Sequence, residues 1–128
     1  MIEPQKRIAS TYRLQLHAGF GFQAAAEITD YLRDLGVTHA YASPYLTART
    51  GSTHGYDLVD PKRLNPELGT EDDYRAWTEG LAARHMGHIV DFVPNHMAAS
   101  TANAWWRDVL ENGQASIYAD HFDIEWRS

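Results

Sequence analysis

The sequence predicts an α/β fold in which parallel strands alternate with helices, the opening of a (β/α)8 barrel or of a doubly wound sheet. Three observations predict it. The stretch from His88 to Val93 is apolar and β-branched, the composition of a strand buried on both faces. Ile8 to Leu16 alternates with period two, as a strand does. Between them, Ala25, Ile28, Leu32 and Leu35 recur at spacings of three and four and mark one face of a helix. Strand, helix and strand in that order make a β–α–β unit, whose strands pair in parallel through a right-handed crossover.

Taken in order, Met1 to Lys6 is polar and reads as a frayed end. The first strand spans Ile8–Leu16, and the Gly-rich stretch His17–Gly21 turns the chain. The first helix spans Phe22–Leu35, with Gly36 where a helix ends on a left-handed residue. Val37–Ser43 is the second strand, stopped by Pro44. A long loop follows, from Pro44 to Gly69, and it carries His54, Tyr56 and Asp57. Loops of that length inside a compact domain are usually functional or disordered, and these side chains favour function. Thr70, with Asp73 three residues on, starts a second helix, Glu71–His85, with Tyr74, Trp77 and Leu81 inward. Gly87 breaks that helix and the third strand, His88–Val93, ends at Pro94. Asn103–Leu110 reads as a short helix and Ser116–Trp126 as irregular or weakly extended. A full barrel takes about 250 residues, so three units read as the N-terminal piece of a larger enzyme.

Composition narrows the class. The chain has 128 residues, no cysteine and a formal net charge of −6. Without cysteine there is no disulfide framework and no thiolate metal site, which suits a reducing, cytoplasmic setting. No basic block is present to neutralise phosphates, which argues against a nucleic-acid partner. No apolar run is long enough for a membrane span. Four Trp, seven Tyr and seven His fit a carbohydrate site, and equally an aromatic core. His85 and His88 straddle a helix end, so they make no shared ligand face for zinc.

Ligands of α/β sheets bind outside the carboxyl ends of the strands. Asn95 and His96 stand just past the third strand and Asp91 points from inside it. A capped strand followed by a polar turn has the same pattern, so the residues alone leave both readings open.

Asp91-Phe92-Val93-Pro94-Asn95-His96 resembles the first signature region of the α-amylase superfamily of glycoside hydrolases, in which Asp and His bracket the end of the third barrel strand. Ser10-Thr11-Tyr12-Arg13-Leu14-Gln15-Leu16, Gly51-Ser52-Thr53-His54-Gly55-Tyr56-Asp57 and Trp105-Trp106-Arg107-Asp108-Val109-Leu110-Glu111-Asn112-Gly113 extend the likeness from about Ile8 to Trp126. Together they resemble the branch that converts the reducing-end α-1,4 bond of a maltooligosaccharide into an α,α-1,1 bond by intramolecular transglucosylation. The resemblance implies the first three strands of a (β/α)8 TIM barrel over residues 1–97. It implies the start of an inserted subdomain over residues 98–128.

Retaining cleavage of a glycosidic bond needs a nucleophile and a general acid about 5–5.5 Å apart. In the superfamily these follow strands that this sequence does not contain, so no catalytic acid is assigned here and both are expected downstream of Ser128. The resemblance makes His96 a hydrogen-bonding partner of the bound glucose and Tyr56 the aromatic platform beneath it. His54 and Asp57 line the same pocket, and Asp91 is a supporting residue that helps hold the pocket's charges. Trp105 and Trp106 are candidates for further sugar subsites, though neighbours on a helix point apart and one belongs to the core. Asn95 is placed among substrate-binding residues; it is a calcium ligand in many relatives, but no metal and no cofactor is expected here. The expected partner is a maltooligosaccharide or other α-glucan. Two other functions stay open: an α-amylase-type hydrolase, and a non-catalytic glucan-binding module with an amylase-like fold.

Overall fold

A computed structural model describes residues 7–127; the frayed end expected over Met1 to Lys6 lies outside them. Three strands, β1 (Thr11–Leu14), β2 (His39–Ala42) and β5 (Gly87–Val90), form one parallel sheet in the order β1-β2-β5. The register sets Arg13 opposite Tyr41 and Tyr41 opposite Ile89. The parallel pairing expected from the β–α–β pattern is what forms. Beyond the ladder, the Ser43 amide donates to the Leu14 carbonyl and the Asp91 amide to that of Ala42, both at 2.9 Å. These bonds carry the alignment past the regular strands. The third strand nevertheless stops at Val90 rather than running to Val93, because β2 ends at Ala42 and offers no further ladder.

The helices cover one face of this sheet. The single helix expected over Phe22–Leu35 is two, α1 (Phe22–Glu27) and α2 (Thr29–Leu35), broken at Ile28. The buried Thr29 hydroxyl donates to the Ala25 carbonyl at 3.0 Å. A side chain that competes for the helix's own acceptor bends it. The break shifts the phase: Thr29 and Leu32 are the buried positions of α2, and Leu35, expected inside, is 56% exposed. Gly36 ends α2 at φ 91°, as expected.

Helix α3 (Glu71–Ala83) begins at a reciprocal cap in which the Asp73 amide donates to Thr70 Oγ1 and the Thr70 amide to Asp73 Oδ2. It ends before Gly87. His85 takes a left-handed conformation, φ 57°, while the His85 and Met86 amides donate back to the carbonyls of Ala82 and Leu81. Gly87 is then the first residue of β5. Leu14, Ala40 and Ala42 of the sheet pack against Phe22, Leu32, Trp77 and Leu81 of the helices to make the core.

The long loop expected over Pro44–Gly69 is not structureless. It holds an antiparallel hairpin, β3 (Leu46–Ala48) and β4 (Leu58–Leu64), with irregular register, and a 3-10 turn at Pro66–Leu68. After β5, α4 (Ala104–Asn112) is capped by Asn103, whose buried carbonyl oxygen accepts from the amides of Trp105 and Trp106. The Ala98 amide donates to Leu58 at 2.8 Å and the Lys62 ammonium lies 5.7 Å from the Trp105 ring centre. The last segment therefore docks on the hairpin.

Candidate active site

The strand ends and the hairpin enclose the candidate site. In a strand, alternate side chains share a face, so Arg13, Tyr41, Ile89 and Asp91 project from the face of the sheet opposite the helices. Asp91 leaves β5 just past its end, and the chain between β3 and β4 delivers Tyr56 above it. Arg13 Nη1 donates to Asp91 Oδ2 at 2.9 Å, Arg13 Nη2 donates to the Tyr56 hydroxyl at 2.9 Å, and that hydroxyl donates to Asp91 Oδ2. The three side chains form a closed triangle. The Tyr56 hydroxyl, with Arg13 adding its own bond and charge, holds the Asp91 carboxyl below the usual carboxylate range, against the opposing pull of burial.

Tyr56 is placed by its own turn. The Tyr56 amide donates to His54 Nδ1 at 3.0 Å, and the two rings stack with centres 5.8 Å apart. Because Nδ1 accepts that bond, its 3.8 Å separation from Asp57 Oδ1 is no donor contact when the imidazole is neutral. Asp57 instead accepts from the Ser52 hydroxyl at 2.5 Å, while Ser52 Oγ accepts from the Gly55 amide. Asp57 thus ties the turn together. Tyr45, Gly55, Tyr56, Asp91, Phe92 and Val93 are among the walls of a largely apolar hollow of about 330 Å3. A hollow of this kind with few polar groups suits a ligand that presents one apolar face and a fringe of hydroxyls.

His96 and Asn95 lie elsewhere. Both are exposed, and His96 Nδ1 meets Asn95 Oδ1 at 2.5 Å. They line a second hollow of about 270 Å3 with Met97, Trp105, His121 and Asp123. The structure therefore brings Tyr56 and Asp91 together at the hollow, keeps His54 and Asp57 in the turn that carries Tyr56 rather than among the lining residues, and sets His96 with Asn95 in a separate recess. Trp105 stacks on Tyr118 at 5.6 Å and Trp106 meets Phe122 at 5.2 Å, edge to face; both are half-buried. Among the described residues no three His, Cys, Asp or Glu side chains are grouped as metal ligands. Sequence pattern alone assigns Arg13 no role. A charged residue in the middle of an otherwise alternating strand was the signal that could have found it.

Known proteins resemble this chain in sequence and in fold. Residues 22–128 match the alpha-amylase catalytic domain family. The chain is 48% identical over 126 residues to a putative maltooligosyl trehalose synthase of Mycobacterium tuberculosis, covering 93% of this chain and 16% of that protein. It is 36% identical over 106 residues to the intracellular maltogenic amylase of Bacillus subtilis, covering 83% of this chain and 17% of that one. The structure of maltooligosyltrehalose synthase from Arthrobacter ramosus superposes with a TM-score of 0.89 at 47% identity, over 92% of this chain and 16% of that one. The type III pullulan hydrolase from Thermococcus kodakarensis gives 0.75 at 41%, over 83% of this chain and 18% of that one. The chain spans about one sixth of the length of the curated relatives it matches. It belongs to the α-amylase catalytic-domain family, and its three parallel strands with their outer helices are a portion of that family's (β/α)8 barrel.

Proposed function

We propose that this chain supplies one wall of the glucose-binding subsite of an enzyme that converts the reducing-end α-1,4 bond of a maltooligosaccharide into an α,α-1,1 bond. The observation that carries the proposal is the 48% identity to a putative maltooligosyl trehalose synthase across 93% of the chain. In this reading residues 1–97 belong to the barrel and residues 98–128 open an inserted subdomain. The nucleophile and general acid stand on later strands of the same enzyme. The Tyr56 ring offers its face to the apolar side of a pyranose. His54 and Asp57 hold that ring's turn beside the same glucose, and His96 and Asn95 reach the sugar hydroxyls from their separate recess. Asp91 stays ionised as the fixed counter-charge of the pocket. The α-glucan is the sole partner, neither nucleic acid nor membrane is bound, and the enzyme works in the cytoplasm. Among the described residues no helix is long and apolar enough to cross a membrane.

Hydrolysis of α-glucans is the second reading, supported by the 36% identity to a maltogenic amylase. Reducing ends separate the two. Each transglucosylation consumes one reducing end, whereas each hydrolysis creates one. The full-length enzyme incubated with maltopentaose is expected to lose reducing ends without shortening the sugar. A rise in reducing ends assigns it to the hydrolases, and no change at all assigns it to the non-catalytic binding modules.

A further inference from the structure

We infer that Arg13 is a positioning residue of this site, one that orients the Tyr56 ring and the Asp91 carboxylate toward the bound glucose, and this rests on the function proposed above. Arg13 reaches both partners because β1 and β5 flank β2 in one sheet and the hairpin folds back over their ends. Its guanidinium sits 4.7 Å from the centre of the Tyr41 ring, which supports it from β2. From there Nη1 serves Asp91 and Nη2 serves Tyr56, each at 2.9 Å.

Hydrogen-bond accounting gives the triangle its meaning. A phenol has one proton to donate, and Tyr56 commits it to Asp91. One of its lone pairs takes Arg13 Nη2. Held by Asp91 alone, the ring would pivot about a single bond; the second bond from Arg13 removes that freedom. With its hydroxyl engaged on both sides, Tyr56 has its ring to offer a ligand. The fork of the guanidinium is what makes this possible, since a lysine ammonium is a point charge without two diverging, coplanar donors. None of the three belongs to the buried core, and Tyr56 and Asp91 line the hollow at the strand ends.

The test uses the full-length enzyme and maltopentaose, with Arg13→Lys, Arg13→Ala, Tyr56→Phe and the two double variants of Tyr56→Phe with an Arg13 change. Tyr56→Phe keeps the ring and deletes both hydroxyl bonds. Arg13→Lys and Tyr56→Phe are each expected to lower kcat about tenfold while KM moves less than about twofold. The double variant is expected to be no slower than the slower single, because both changes release the same ring. Guanidinium ion at a sub-denaturing concentration should restore turnover to Arg13→Ala but not to Arg13→Ala combined with Tyr56→Phe. A purely structural Arg13 would lower the melting temperature and leave the kcat to KM split and the rescue unmoved. Unchanged kcat in both Arg13 variants, or multiplicative losses in the double, overturns the inference while the proposed function stands. If the unsubstituted enzyme turns over no maltooligosaccharide, the proposed function fails and the inference falls with it. Should Arg13→Ala not fold, the Arg13→Lys pair decides alone.

Discussion

Gly55 is the residue on which the placement of Tyr56 turns. Its φ of +80° is in the region that L side chains rarely adopt, and a Cβ there would collide with the Pro44 carbonyl oxygen. Neither strain nor collision can be relieved by rotating a side chain, because the obstacle is backbone. Gly55→Ala is therefore expected to cost about 1–3 kcal/mol and to move Tyr56 off Arg13 and Asp91. Thermal unfolding and maltopentaose turnover of the full-length enzyme should both fall. His88 makes a separate residue-level prediction. Its ring packs on Trp77 and Tyr45 with centres 4.7 and 5.8 Å away, and its Nε2 is buried without a hydrogen-bond partner among the described residues. Burial holds the imidazole below its usual value of 6.5. The folded state thus takes up a proton less readily than the unfolded chain. Stability is fully present above that value and is lost as the pH falls below it, where the unfolded chain protonates first. His88→Phe should flatten this part of the acid dependence, seen as a smaller difference in melting temperature between pH 7.5 and pH 5.5.

At the scale of elements, α3 shows the sequence at its most legible. Thr70 followed by Asp73 is a local signature, since both hydrogen bonds of the cap join groups three residues apart. Asp73 also accepts from Gln23 at 3.0 Å, which ties the start of α3 to α1. Thr70→Ala is expected to lower the melting temperature by a few degrees and to leave activity near normal. By contrast, Leu81→Ala on the inner face should cost about 2–5 kcal/mol, because Leu81 is 1% exposed in the core. Chemical denaturation of the full-length enzyme, with the two variants side by side, checks the order. The hairpin was illegible for the opposite reason. Strand β3 is only three residues long and its pairing with β4 is interrupted by register shifts, so no period of two survives to be read. The break at Ile28 was also hidden, because a threonine that donates to its own helix looks the same in sequence as one that faces solvent.

For the whole molecule the sheet's edges govern. In the order β1-β2-β5, β1 and β5 each have a free side among the described residues. Val90 and Phe92, patterned for burial, are 43% and 54% exposed. Each such side chain forgoes roughly 1.5–3 kcal/mol of burial, against a total of about 5–15 kcal/mol for an ordinary domain. A polypeptide of residues 1–128 expressed alone is expected to be poorly soluble or molten, with no activity on maltodextrins. Binding of a hydrophobic dye together with weak near-ultraviolet circular dichroism would mark that state. A sharp cooperative transition from a monomer would falsify the expectation.

What the sequence by itself determined was local or periodic: the three strands, the capped start of α3, the left-handed end at Gly36, and the short motifs that pointed to the α-amylase family. Each rests on contacts between residues a few positions apart, or on a repeat that a single stretch displays. What only the tertiary structure decided was the company each side chain keeps. Arg13, Tyr56 and Asp91 come from β1, the hairpin and the end of β5, and no local pattern states that two guanidinium nitrogens will meet a phenol and a carboxylate. His96, next to Asn95 in sequence, faces a recess walled by Trp105 and His121, residues 9 and 25 positions further along the chain. Hydrogen bonds between distant residues depend on how strands and loops are stacked in space, and that stacking is set by the core as a whole.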